Sequence, residues 1–387
     1  WLCRHGAEKD EMAIGALICL ASGFVRPALP TARGAPAVRP VHPVAAAHAI
    51  SMTATAQKVG IVGATGAVGK EVIGVLEKRG YPMSSVRLFG SERSAGTVVS
   101  TSLGDVSIEA FSVDAARQTD VLFLCVDGSF ALEHGEKLAA PGGPLVIDNS
   151  SAFRRDPKVP LLVPEINAAS GKGHRLIANP NCTTAILLMA LAPLVALFGV
   201  KRVIVSTYQA ASGAGAEGMA ELQEGLAAGV AGKPFTNKVF AHPLPYNVIP
   251  HIDVFQPNGY TKEEMKVAWE TRKILDMPDL PVSCTAVRIP TLRAHSESVT
   301  IETVRPVDLA MVREILSAAP GVRLVDDPAA KKYPMPITAT GSYDVEVGRL
   351  RKNEVFGECG LDMFVCGDQL LRGAALNAVL IAEALVI

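Results

Sequence analysis

Lys58-Val59-Gly60-Ile61-Val62-Gly63-Ala64-Thr65-Gly66-Ala67-Val68-Gly69 is the stretch that decides the fold of this chain. A short apolar strand runs into a turn with a glycine at every third position, and a helical pattern follows it. The apolar positions of that helix fall on one face, at Val68, Val72, Ile73, Val75 and Leu76. Gly80, preceded by Lys78 and Arg79, is typical of a helix C-terminus.

The glycine turn predicts a dinucleotide site. Backbone amides in a strand-to-helix turn of this kind approach a pyrophosphate closely and place it at a helix N-terminus. The spacing is GxxGxxG rather than GxGxxG, so an ordinary tight turn remains the alternative. After the next strand, Ser91 and Arg93 stand where an NAD-binding chain usually offers a carboxylate. They favour a 2′-phosphate and therefore NADP, although Glu92 between them weakens that inference and a solvated loop arginine is the alternative.

Apolar runs alternate with helical patterns up to residue 181. We predict strands at 86–89, 121–126 and 145–148, and a helix at 129–140. Continuous apolar runs are typical of parallel strands that are buried on both faces. The alternation therefore predicts a Rossmann-type, doubly wound α/β domain over residues 58–181.

From Cys182 the pattern changes. Residues 202–208 form a further predicted strand, and 298–304 alternate apolar and polar side chains, as in an antiparallel sheet with one covered face. A helix is predicted at 263–275. We expect an α+β domain with a mixed, largely antiparallel sheet over 182–365. An apolar C-terminal segment at 366–387, with its helix at 369–385, should return to the first domain.

Composition excludes several classes of function. The chain has 387 residues and a net charge of −1, which gives no reason to expect nucleic acid or an acidic membrane surface as a partner. Its 7 cysteines are odd in number, and no CxxC pair occurs, so neither a disulfide framework nor a zinc ribbon is supported. We expect a reducing compartment and no membrane association of the mature chain.

The first 57 residues differ from the rest and are predicted to be a targeting leader without a fold. No Asp or Glu occurs from Met12 through Lys70. Residues 13–20 form an apolar run that suits a signal-peptide core, and a basic, Pro-rich stretch like a transit peptide follows it. This order resembles the two-part address of plastids bounded by extra membranes. A disordered tail or upstream translated sequence is the alternative, with a cytoplasmic location.

Asn179-Pro180-Asn181-Cys182 precedes an apolar helical run and places a thiol at a helix start. Asn181 is a good N-cap candidate. The partial positive charge of a helix N-terminus favours a thiolate, and its free N–H groups can hold an oxyanion. A small buried cysteine on a helix is the plain alternative.

Five further side chains are candidates for the same site. Arg288 is predicted at a strand end and His295 in the loop that follows. A histidine beside a thiolate is the usual acid/base partner, and an arginine binds a carboxylate through two hydrogen bonds. Glu263 and Lys266 share a helix face, which by itself indicates only a surface ion pair. Arg154 follows the strand at 145–148, where ligands bind in open α/β sheets, and could hold a phosphate; His295 and Arg154 could equally be solvated loop residues.

Taken together, these segments resemble the aspartate-β-semialdehyde dehydrogenase family. The resemblance covers the chain from Lys58 to its last residue. It rests on GATGAVG, SERSAG, DNSSAFR, VPEIN, NPNCTT, STYQAASGAG, EEMK, VRIPTLRAHSE and GDQLLRGAA, which occur in the family's order. The family fold has an NADP-binding domain and a catalytic and dimerisation domain, here assigned to 58–181 and 182–365.

The resemblance implies roles for individual residues. Cys182 would be the acylated nucleophile and His295 the acid/base. Substrate would be bound by Gln209 and Asn181, by Arg288 at its α-carboxylate, by Glu263 at its α-amino group, and by Arg154 and Lys266 at its phosphate. NADP would be bound by Gly63, Thr65, Gly66, Ala67, Val68, Ser91, Arg93, Ser94, Ser212, Gly213 and Gln369. At position 369 many relatives have Asn, but the amide is kept.

The implied reaction is the NADPH-dependent reductive dephosphorylation of L-aspartyl-4-phosphate to aspartate semialdehyde through a cysteine thioester. The product feeds lysine, threonine, methionine and isoleucine synthesis, and the enzyme would be a homodimer without metal. One alternative is N-acetyl-γ-glutamyl-phosphate reductase, although Glu263 and Arg288 suit a free amino-acid head. A non-catalytic NADP-binding protein is the other, although Cys182, His295 and Arg288 are all present.

Overall fold

The computed structural model describes residues 55–386. The predicted leader therefore lies outside the described residues except for its last three positions. The first strand begins at Gln57, one residue before the boundary predicted at 58, and the Gln57 N–H donates to the Pro82 carbonyl at 2.7 Å. Within residues 55–386, no helix is long and apolar enough to cross a bilayer.

The first half of the described chain alternates strands and helices. Its elements are β1 Gln57–Val62, α1 Ala67–Arg79, β2 Met83–Gly90, β3 Val98–Thr101, β4 Gly104–Ser107, β5 Glu109–Ala110, α2 Val113–Ala116, β6 Val121–Leu124, α3 Gly128–Ala139, β7 Leu145–Asp148, α4 Pro164–Asn167 and β8 Leu176–Ala178.

Six of these strands form one parallel sheet. Its order is β5-β2-β1-β6-β7-β8, and every neighbouring pair is parallel. All four residues of β6 are buried, because helices cover the sheet and leave these apolar side chains no access to water. The order places β1 at the centre with α1 directly after it. The Rossmann-type, doubly wound fold predicted from the alternation of strands and helices is confirmed.

The second half holds longer strands and helices. Its elements are α5 Cys182–Phe198, β9 Val200–Gln209, α6 Gly215–Val230, α7 Lys262–Ile274, β10 Val282–Arg288, β11 His295–Thr303, α8 Leu309–Ala318, β12 Val322–Leu324, α9 Pro336–Ala339, β13 Val345–Lys352, β14 Gly360–Gly367 and α10 Leu376–Val386.

Its six-stranded sheet is mixed, as predicted. The order is β10-β9-β11-β14-β13-β12; the two outer pairs are parallel and the three inner pairs are antiparallel. β11 alternates buried and half-buried residues from Glu297 onward, because α5 packs against one face of the sheet. α5 itself is apolar on all sides and almost wholly buried.

The C-terminal segment returns to the first domain. A π-helical turn at Leu371–Ala375 leads into α10, and their apolar side chains share a core with those of α1 and β1. Arg79 of α1 pairs with Glu383 of α10 at 2.6 Å. Two boundaries differ from the predicted ones: Gln369 lies in a turn before the helix, and β14 runs to Gly367, past the boundary at 366.

Candidate active site

A cleft of about 360 Å³ lies where the carboxyl ends of the parallel strands meet the second sheet. Strands β6 and β7 end beside it, and α5 and α7 border it from the other domain. It is lined by the predicted residues Val68, Arg154, Asn181, Cys182, Gln209, Ser212, Gly213, Glu263, Lys266, Arg288 and Gln369. Tertiary structure therefore brings together residues from both halves of the chain.

Cys182 is the first residue of α5 and is partly exposed at the cleft. The side chain of Asn181 accepts from the Thr184 N–H at 3.2 Å, so the predicted N-cap is confirmed. A side chain at Gly373 would place its Cβ 2.6 Å from that of Cys182, so only glycine permits this approach. Desolvation, reinforced by the carboxylate of Glu263, raises the pKa of the Cys182 thiol to about 11. This desolvation acts against the partial positive charge of the helix N-terminus, which favours the thiolate.

Glu263 is the centre of a buried polar cluster. Its Oε1 accepts from the Asn181 side-chain amide at 2.9 Å and from the Gln209 amide at 3.1 Å. Its Oε2 pairs with Lys266 at 3.0 Å, and Lys266 also pairs with Asp253 at 2.7 Å. Burial alone would raise the pKa of Glu263, but Lys266 and the amides bring it down to about 2. The ion pair expected at the surface is thus partly buried, and its carboxylate is ionised.

His295 is the first residue of β11, rather than a loop residue as predicted. It is fully buried behind the cleft. Its Nδ1 accepts from the Ala210 N–H at 3.0 Å, and its Nε2 lies 3.5 Å from the Gln209 amide nitrogen. Burial, with a further contribution from Arg288, lowers the pKa of His295 to about 3, so the imidazole is neutral at neutral pH.

Arg288 ends β10 beside the end of β9. The two strands are parallel and pair Arg288 with Gln209. The Arg288 guanidinium donates to the Ala210 carbonyl at 2.5 Å and lies 5.7 Å from the ring centroid of Phe240. A Cβ at Gly213 would come within 2.6 Å of Arg288 Nη1 and 3.4 Å of His295 Nε2. The absence of a side chain there leaves both groups room to approach the cleft.

Arg154 is buried and held on three sides. It donates to the carbonyls of Asn179 at 2.8 Å and Asn149 at 2.9 Å, and its Nη1 donates to Glu270 Oε1 at 3.3 Å. The interpretation of Arg154 as a plain loop residue is therefore wrong. Sequence reasoning missed Glu270 and Asp253. The signal for Glu270 was its position two turns after Glu263 on the same helix face.

The glycine turn fits the diphosphate of a dinucleotide. Gly63 has φ +84°, and a Cβ there would lie 2.3 Å from the Cys125 carbonyl oxygen. Gly66 caps α1 without a side-chain hydrogen bond, and no acidic residue stands in the first turn. The helix N-terminus is thus open to an anion, whose charge it favours.

The remaining predicted cofactor residues divide into two groups. The side-chain oxygen of Gln369 accepts a hydrogen bond from the Ala294 N–H at 2.8 Å, and its amide nitrogen donates one to the Ser212 hydroxyl. Gln369 therefore connects the cleft to the start of β11. Thr65, Gly66, Ala67, Ser91, Arg93 and Ser94 lie outside the lining of the cleft, at the glycine turn and after β2. Among residues 55–386, Arg93 is exposed and has no side-chain hydrogen bond or ion pair, so it is free to meet a ligand. In the same range, no group of three or more His, Cys, Asp or Glu side chains is placed to hold a metal.

Comparison with known proteins covers both halves of the chain. Residues 58–174 match the family model "Semialdehyde dehydrogenase, NAD binding domain", and residues 191–372 match "Semialdehyde dehydrogenase, dimerisation domain". The aspartate-semialdehyde dehydrogenase of Aquifex aeolicus is 45% identical over 334 residues, which cover 85% of this chain and 98% of that protein. The enzyme of Bacillus subtilis is 42% identical over 336 residues, which cover 84% of this chain and 96% of that protein.

Solved structures place the chain in the same group. Aspartate semialdehyde dehydrogenase II of Vibrio cholerae, complexed with ASA, superposes with a TM-score of 0.81 at 37% identity over 85% of this chain and 98% of that one. The Candida albicans enzyme, solved with NADP, gives a TM-score of 0.65 at 25% identity over 85% of this chain and 98% of that one. The chain belongs to the aspartate-semialdehyde dehydrogenase family.

Proposed function

We propose that this chain is an NADP-dependent aspartate-semialdehyde dehydrogenase that converts L-aspartyl-4-phosphate to L-aspartate 4-semialdehyde. The observation that carries the proposal is the position of Cys182. It opens α5 at the cleft, where the carboxylate of Glu263 and the cations Arg154, Lys266 and Arg288 line the same space. A nucleophile among groups of both charges suits a substrate that has an ammonium, a carboxylate and a phosphate.

The substrate's amino-acid head is bound by Glu263 and Arg288. Glu263 is ionised and accepts hydrogen bonds from the substrate's α-ammonium group. The planar guanidinium of Arg288 donates two parallel hydrogen bonds to the α-carboxylate. Gln209 bonds to Glu263 at 3.1 Å and lies beside His295, so it positions the reacting carbonyl. Arg154, Lys266 and Asn181 bind the phosphate. For Lys266 this means exchanging part of its pairing with Asp253 and Glu263 for the phosphate oxygens.

Cys182 carries the covalent chemistry. Its sulfur attacks the acyl carbon, the C–S bond forms, and the C–O bond to phosphate breaks. The proton of the Cys182 thiol leaves with the departing phosphate. NADPH, when bound, supplies the hydride that reduces the acyl carbon. The C–S bond then breaks, the sulfur takes up a proton, and the aldehyde departs.

His295 acts on the carbonyl oxygen. Its Nδ1 accepts a backbone hydrogen bond, so the neutral ring carries its proton on Nε2. From there it donates to the oxygen as negative charge develops, which lowers the barrier most when the donor is preorganised. Around NADP, the glycine turn from Gly63 through Val68 would hold the diphosphate. Ser91, Arg93 and Ser94 would meet the 2′-phosphate, and Ser212, Gly213 and Gln369 would border the cofactor in the cleft.

We also infer that the enzyme works as a homodimer, in the synthesis of lysine, threonine, methionine and isoleucine. The family model over residues 191–372 describes a dimerisation domain. The acid-free stretch from Met12 through Lys70 supports import into a plastid.

Phosphate-dependent NADPH formation from aspartate semialdehyde, the reverse reaction, tests the proposed activity. The purified chain should need inorganic phosphate and should reject N-acetylglutamate semialdehyde, which has no free ammonium for Glu263. Turnover of the acetylated substrate would favour the reductase alternative. Tight NADP binding without turnover of either substrate would favour a non-catalytic protein.

A further inference from the structure

Glu270 lies behind the active site and contacts two separate parts of it. Its Oε1 accepts from Arg154 Nη1 at 3.3 Å, and its Oε2 accepts from the backbone N–H of Asn181 at 2.6 Å. Glu270 is 2% exposed and does not line the cleft. A single buried carboxylate therefore joins the proposed phosphate-binding arginine to the N-cap of the Cys182 helix.

The hydrogen bonds of Arg154 show what this contact achieves. A guanidinium has five N–H donors in a fixed plane. Nε and Nη2 donate to the carbonyls of Asn179 and Asn149, and Nη1 donates to Glu270. Three contacts fix the plane and leave two N–H groups for a ligand. Without Glu270, only backbone carbonyls would hold this buried cation.

Asn181 forms two hydrogen bonds with side chains of α7. Glu263 binds its side-chain amide at 2.9 Å, and Glu270, two turns further along the same helix face, binds its backbone N–H. Asn181 in turn caps α5 through Thr184. The position of Cys182 relative to Arg154 therefore depends on one helix, α7.

We propose that Glu270 is a positioning residue for phosphate, which holds Arg154 and the start of the Cys182 helix in a single arrangement. This inference rests on the proposed function, because it assigns Arg154 to the phosphate. Glu270 touches no substrate and acts only through its two partners. Removal of the Glu270 carboxylate should therefore weaken the binding of phosphate more than the binding of the amino-acid head or of NADP.

Another buried glutamate on α7 offers a matched control. Glu264 accepts from the N–H groups of Thr261 at 2.6 Å and Ala286 at 2.9 Å, which complete a capping box and tie the helix to β10. It is buried to a similar degree but contacts neither Arg154 nor Asn181. Glu264→Gln should lower the midpoint temperature of thermal unfolding and leave KM for phosphate unchanged.

The test uses steady-state kinetics of the full chain with aspartate semialdehyde, inorganic phosphate and NADP. Glu270→Gln should raise KM for phosphate at least about tenfold, or about 1.4 kcal/mol, with KM for the other two substrates within about threefold. Arg154→Lys should raise the same constant. The double variant should be little worse than Arg154→Lys alone, because both changes act on one contact.

A second measurement does not depend on turnover. Inorganic phosphate should protect Cys182 of the wild-type chain from iodoacetamide, and Glu270→Gln should need about tenfold more phosphate for the same protection. If Glu270→Gln does not fold, Glu270→Asp serves in its place, because the shorter side chain cannot reach both partners.

Equal changes in all three KM values, or unchanged protection by phosphate, would overturn the role of Glu270. A wild-type enzyme that needs no phosphate would instead overturn the proposed function, so the two failures are distinguishable.

Discussion

The backbone N–H of Ala210 donates a hydrogen bond to Nδ1 of His295 over 3.0 Å. Protonation of Nδ1 would set two N–H groups against each other, so the imidazole stays neutral with its hydrogen on Nε2. Burial and Arg288 act in the same direction on its pKa. This arrangement supports a neutral imidazole whose Nε2 is a hydrogen-bond donor.

The neutral state of His295 predicts a pH-dependent stability. The pKa is about 3 in the folded chain and about 6.5 in the unfolded chain, so only the unfolded chain gains the proton between these values. Stability from this residue is complete above about pH 6.5 and decreases by roughly 1.4 kcal/mol for each pH unit below it. Buried Glu297, whose pKa is raised, acts in the opposite direction, so the comparison must be with a variant.

Urea unfolding at pH 6.5 and pH 5 measures this effect. Between these values the wild-type chain should lose about 2 kcal/mol more than His295→Asn. The pKa of Glu263, about 2, places its own loss of stability below this window. Parallel losses in the two chains would show that His295 is not held neutral.

Substitutions of Arg288 and of His295 should change different kinetic constants. Arg288→Lys keeps the charge but loses the planar fork, so KM for aspartate semialdehyde should rise at least about tenfold, since a charge-assisted pair contributes roughly 1.5–3 kcal/mol. His295→Asn should mainly lower kcat, because its hydrogen bond strengthens in the transition state. Steady-state kinetics on both variants test this division. An unchanged KM in Arg288→Lys would place the carboxylate elsewhere.

Cys182→Ala should abolish turnover and leave NADP binding near normal. Loss of the nucleophile removes the covalent route, which raises the barrier by about 4 kcal/mol or more. Cys359→Ala, a change outside the cleft lining, is the control and should keep full activity. Rates of Cys182→Ala within about tenfold of wild type would disprove its role as nucleophile.

Arg93 should determine the choice of cofactor. The wild-type chain should prefer NADP to NAD by at least about tenfold in kcat/KM, since one charge-assisted phosphate contact contributes roughly 1.5–3 kcal/mol. Arg93→Ala should remove most of this preference because it weakens the binding of NADP. The neighbouring variant Glu92→Gln should keep the preference. Equal efficiency with both cofactors in the wild type would show that Arg93 points elsewhere.

The leader should be dispensable for folding. Because Gln57 already pairs with Pro82, a chain that begins at Thr55 keeps all of β1. Without the preceding residues it should fold, dimerise and have full activity, since the predicted leader has no amphipathic pattern to bury. Size-exclusion chromatography and the phosphate-dependent assay measure this. Aggregated or inactive protein would mean that the segment belongs to the fold.

The sequence by itself determined features that depend on neighbouring residues. The glycine turn, the N-cap at Asn181 and the end of α1 at Gly80 were all predicted, and Gly80 adopts the left-handed conformation that such an end requires. Continuous and alternating apolar patterns distinguished the parallel sheet from the mixed one. These features follow from backbone geometry and local burial, so a short stretch of chain contains their cause.

Only the tertiary structure decided how charges behave in the cleft. It partly buried the Glu263–Lys266 pair, raised the pKa of Cys182, placed His295 in a strand and brought Glu270 to Arg154 from 116 residues away. Desolvation and charge interactions depend on distance in space rather than along the chain. The sequence therefore contains the residues of this site, but only their packing in space sets their protonation.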